Sequence, residues 1–118
     1  SGDPLALSLY RSYVEIGKLP ALDPRREVAL LESAANKGDP EAMLALGLKY
    51  EKGEGVRADL PQAYALLALV SISEEEKGRP GAATEGAARI KDKLSATEFK
   101  TAEALTEAMY TKLSAILD

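Results

Sequence analysis

Shifting this chain by 36 positions lays it over itself at the places where helices begin, end and pack. Asp3-Pro4 falls on Asp39-Pro40, Glu15 on Glu51, Gly17 on Gly53 and Asp23 on Asp59. Ala6 falls on Ala42, and Ala29-Leu30-Leu31 falls on Ala65-Leu66-Leu67. One or two matches would be chance in a chain rich in Ala and Leu. These fall on caps, helix-ending glycines and core positions, which are the places where a stacked helical unit must repeat itself.

Each unit reads as two antiparallel helices. Asp3 and Asp39 hold the place of N-caps, whose carboxylates accept hydrogen bonds from the free amides of a first turn. Pro4 and Pro40 occupy the first helical position, where no N–H is needed. Gly17 and Gly53 close the first helices, since glycine enters the left-handed conformation of a C-terminal cap without strain. Asp23-Pro24 and Asp59 open the second helices, predicted over 24–36 and 60–73. Gly78-Arg79-Pro80-Gly81 is a turn, and Ala82 to Leu94 follows with a helical pattern. Ser95-Ala96-Thr97-Glu98 has the form of a capping box. Behind it Phe99, Ala102, Leu105, Met109, Leu113 and Ile116 or Leu117 recur at helical spacing. The expected fold is all-α, a short α-solenoid of about three antiparallel helix pairs without strands, forming one domain over 1–118.

Composition narrows what such an array can do. Hydrophobic residues make up 46% and aromatics only 5%, so Ala and Leu carry the packing and helices can approach closely. The net charge of −4 and the absence of a basic run weigh against nucleic acid, whose phosphates need clustered Lys and Arg. The most apolar stretch, Ala63 to Ile72, has about half the length needed to span a bilayer. Without cysteine there are no disulfides, Cys-based zinc sites or thiol chemistry, and without histidine the commonest general base is missing. Neither a cofactor nor a metal is expected. No signal or lipid-anchor motif opens the chain, and Ser1-Gly2 reads as a tag scar, so a leader removed upstream is compatible with it.

Residues Ala34 to Leu69 resemble the Sel-one-like repeat (SLR), a relative of the tetratricopeptide repeat. The match rests on Gly38-Asp39, Glu41-Ala42, Leu46-Gly47, Tyr50, Gly53-Glu54-Gly55-Val56, Asp59 and Ala63. The G-x-G-V loop followed by an acidic cap is its specific part. Residues 37–73 form the specific repeat, 3–36 a degenerate copy with Gly17-Lys18-Leu19-Pro20 in place of the loop, and 82–117 a terminal helix pair acting as a cap. The resemblance implies an adaptor in protein complexes, commonly bacterial, and some such relatives are exported. A periplasmic or secreted setting is therefore expected over a cytoplasmic one.

Candidate binding residues follow from the helical registers. Ala42, Leu46, Gly47 and Tyr50 face the repeat's own core, which leaves Leu44, Leu48 and Glu51 on the other side of the first helix. The two leucines either contact a ligand or bury against the neighbouring repeat. Their counterparts one repeat earlier are Ser8, Ser12 and Glu15, and Tyr10, Arg11 and Tyr13 cluster on the same predicted helix. Tyr and Arg are favoured in binding hot spots, although one Tyr packed in the core beside a solvated Arg11 would look the same. Glu74-Glu75-Glu76 reads as a solvated helix end, because consecutive helical side chains diverge by about 100° and form no cage.

These readings point to another protein as the partner and to a non-catalytic function. The role is either a bacterial adaptor or a specific inhibitor or immunity-type partner. A scaffold in an envelope secretion or polysaccharide-export assembly is the alternative. A cell-wall-acting enzyme is disfavoured, because the recurrent acids are already explained as caps and Gly53-Glu54-Gly55 is too short for a phosphate loop.

Overall fold

The computed structural model describes residues 23–117, and their elements are five helices with no strand among them. These are α1 (Pro24–Ala35), α2 (Pro40–Lys52), α3 (Leu60–Glu76), α4 (Ala82–Lys91) and α5 (Ala96–Leu117). The predicted helix over residues 4–16 lies outside the described residues.

The caps explain most boundaries. Asp23 accepts a hydrogen bond from the Arg25 amide at 2.8 Å, and Asp59 accepts one from the Gln62 amide at 3.1 Å. Asp39 stands at the start of α2, but its carboxylate makes no capping bond there. Ser95 and Glu98 complete the predicted capping box: the Glu98 amide donates to Ser95 Oγ at 3.1 Å and the Ser95 amide to Glu98 Oε1 at 2.9 Å. Two lengths differ from expectation. α3 continues through the three glutamates to Glu76, and α4 stops at Lys91 where a tight turn leads into α5.

The loop between α2 and α3 is locked by Gly55, which has a φ of 74° and lies so close to α1 that a Cβ would run into the Pro24 carbonyl. Only glycine meets both demands. Val56 then packs on the core of the first three helices.

That core joins Val28, Leu31, Met43, Leu46, Leu66 and Val70 from α1, α2 and α3. A second cluster, Ala63, Leu67, Ala87 and Ile90, joins α3 to α4. α3 is the shared element, and α4 and α5 both pack mainly on it rather than on each other. α5 runs along α3 from Tyr64, whose ring meets Phe99 edge-to-face at 5.6 Å. It reaches the α1–α2 turn, where Leu113 lies 3.7 Å from the Cβ position of Gly38. A cavity of about 250 Å3 lies under this last stretch, bordered by Glu32, Met43, Tyr50, Leu66 and Leu113.

Candidate partner-binding surface

The surface is set by how closely the helices approach. A Cβ on Gly47 of α2 would lie 2.9 Å from Leu67 Cδ2, and one on Gly86 of α4 would lie 2.8 Å from Leu67 Cδ1. Leu67 of α3, fully buried, is therefore clasped from both sides by residues without side chains. This approach brings the first helices of successive repeats, α2 and α4, alongside one another.

Leu44 and Leu48 lie on that boundary. Both are half-buried and pack against the cluster shared by α3 and α4, and Leu44 also touches the first core. Glu51 completes the row. Its side chain is only 7% exposed, and it takes two hydrogen bonds from Arg89, at 2.8 Å from Nε and 2.7 Å from an Nη. Lys93 adds an ammonium at 3.5 Å. The Arg89 hydrogen bonds hold the Glu51 carboxyl below the usual glutamate range, outweighing the burial that pushes it up. Nothing within Glu51's own repeat signals this partnership; its only trace in the sequence is a pair of basic residues about one repeat later.

Glu74 is a second feature that sequence reading missed. Glu75 and Glu76 are exposed, as a solvated helix end would be, but Glu74 is half-buried. Its carboxylate accepts from the amides of Gly81 at 3.2 Å, Ala83 at 3.2 Å and Thr84 at 2.8 Å, and from the Thr84 hydroxyl at 2.8 Å. It thus caps α4 from the end of the preceding helix, correcting the reading of Glu74 as solvated. The sequence carried one hint, since the N-cap of α4 is Gly81, which has no side chain to cap with. Burial pushes the Glu74 pKa up, but the bonds from Thr84, Ala83 and Gly81 hold it below its ordinary value.

Tyr50, placed in the core by its register, is half-buried and donates its hydroxyl to Glu32 Oε1 at 3.4 Å. Burial and then the Glu32 charge raise its pKa, so it stays a neutral donor. The remaining candidates, Ser8, Tyr10, Arg11, Ser12 and Glu15, lie outside the described residues.

Comparison with family profiles and with curated proteins found no match. Among solved structures, a protective antigen present in uropathogenic Escherichia coli strains, itself displaying an SLR fold, superposes with a TM-score of 0.79 over 95% of this chain at 26% identity. The chain has the SLR fold.

It spans 23% of the length of that neighbour. An SLR fold points to protein partners, and Leu44, Leu48 and Glu51 come together along the α2–α4 boundary. Among the described residues, no helix is long and apolar enough to cross a membrane.

Proposed function

We propose that this chain is a non-catalytic protein-binding module that engages its partner along the inner side of its first helices, with Leu44 and Leu48 contributing from α2. The observation that carries this is the SLR fold over 95% of the chain, combined with the α2–α4 alignment that the Glu51–Arg89 pair maintains. Consecutive helices fixed in register offer a rigid surface, and a preorganised surface loses less entropy on binding. The partner-binding set extends to Ser8, Tyr10, Arg11, Ser12 and Glu15 on the preceding unit. The role is that of a bacterial adaptor or a specific inhibitor or immunity-type partner, working in the periplasm or outside the cell. The neighbour's description as a protective antigen is in keeping with such an exposed setting.

Site-specific photo-crosslinking tests the surface. A photoreactive residue at Leu44 or Leu48 should crosslink one defined protein in native lysate, and the purified pair should bind. The same residue at Lys100, exposed on α5, should not. Equal crosslinking from both positions, or from Lys100 alone, would remove the inner side from the proposal.

A further inference from the structure

A second surface is better exposed than the inner one. Among the described residues three large hydrophobics are exposed, and two of them, Ile72 at 44% and Tyr110 at 58%, line the same groove between α3 and α5. Its volume is about 350 Å3. Tyr64, Ala68 and Ile72 follow one another at single-turn spacing along α3, and the small Ala68 leaves the opening between the larger two. The α3 wall is therefore about 12 Å long, two helical turns.

The facing wall is acidic. Glu103 and Glu107, one turn apart on α5, line the groove, and no Lys or Arg lines it with them. Neither is ion-paired among the described residues. Thr106 between them donates its hydroxyl to the Ala102 carbonyl at 2.7 Å and so is satisfied within its own helix. What remains is an apolar floor with two unneutralised carboxylates along one side.

We infer that this groove is a docking site for an amphipathic helix of a partner protein, one that carries Lys or Arg along the flank of its apolar stripe. Charge complementarity selects the basic flank. A helix is selected over a strand because two helices offer no free backbone edge for an incoming strand to pair with, whereas a helix satisfies its own amides. Two or three apolar side chains at i, i+4 and i+7 would fill the space between Tyr64, Ile72 and Tyr110. The inference rests on the protein-binding reading and names the class of partner for a separate face.

The probe is a synthetic peptide of about 20 residues, beyond the roughly 12–15 at which isolated helices are marginal, with Leu at i, i+4 and i+7 and Lys along one flank. A companion peptide carries Glu in place of each Lys. The Lys peptide should bind and shift amide resonances on both walls, in 64–72 and 103–110. The pair Glu103→Lys and Glu107→Lys should weaken it by about tenfold or more and admit the Glu peptide instead. The pair Ile72→Ser and Tyr110→Ser should abolish binding of the Lys peptide. All four positions are exposed, so unchanged melting curves are expected and confirm folding. Amide shifts confined to other faces, or binding indifferent to charge reversal, would overturn the inference. So would self-association lost on changing Ile72 and Tyr110, which would make a second copy the occupant. Crosslinking from Leu48 does not depend on these residues, so failure here and failure of the inner surface are distinguishable.

Discussion

Arg89 reaches across a repeat boundary and holds the nearly buried carboxylate of Glu51 in a two-pronged grip, with both bonds shorter than 2.9 Å. Neither residue belongs to the other's repeat, so this contact reports directly on the α2–α4 alignment. Glu51→Gln should cost about 1 kcal/mol at neutral pH, a modest figure because Arg89 is half-exposed. The folded-state pKa of Glu51 lies below its unfolded value. Its contribution is therefore complete above the ordinary glutamate pKa of about 4.3 and is lost as pH falls through the folded value. Denaturation curves of the two proteins should differ at pH 7 and converge in acid. A difference that grows on acidification would contradict the assignment.

Gly47→Leu should destabilise the domain by about 3 kcal/mol, the upper part of the usual range for overpacking. Even the first added carbon would press on Leu67 at 2.9 Å, and the Ala63 carbonyl is next in line at 3.4 Å. Because Leu67 is the obstacle, adding Leu67→Ala should recover part of the loss, giving a non-additive cycle in urea denaturation. Strict additivity would mean that the two side chains do not meet.

Glu74→Ala should speed hydrogen exchange at the Gly81, Ala83 and Thr84 amides and lower helix content in α4. Glu75→Ala and Glu76→Ala, on exposed positions of the same helix end, should leave those amides unchanged. Three equal responses would return all three glutamates to solvent.

Changing both Leu44 and Leu48 to Ser separates packing from recognition. Both leucines are half-buried against the α3–α4 cluster, so a stability loss of about 2–3 kcal/mol is expected. Where the folded fraction is held constant, partner affinity should fall by a further 2 kcal/mol or so. Normal affinity in the folded mutant would leave these leucines as packing residues only.

The sequence made much of this legible because helix signals are local. Asp23, Asp59 and the Ser95–Glu98 box declared their starts through side chains that act within three residues, and Gly53 to Val56 declared the loop. The inward register of Ala42, Leu46 and Gly47 followed from 3.6-residue periodicity, and all three are buried. What stayed hidden is non-local. Glu51 finds Arg89 in the next repeat, Glu74 caps a helix beyond a turn, and the α3–α5 groove depends on which helix α5 leans against. Ile116 shows the same limit in reverse: it continues the apolar spacing of α5, yet it is 51% exposed.

The path of α5 changes how the chain should come apart. A linear stack touches only nearest neighbours, so it can unzip from either end one unit at a time. Here the last helix starts beside Tyr64 and finishes beside Gly38, laying one continuous rod across joints that would otherwise open separately. Peeling α5 away uncovers Met109 and Leu113 together with the core beneath them, so fraying at this end cannot remain local. The described helices should then melt as one cooperative block, with the shared seam along α3 as the last amides to exchange.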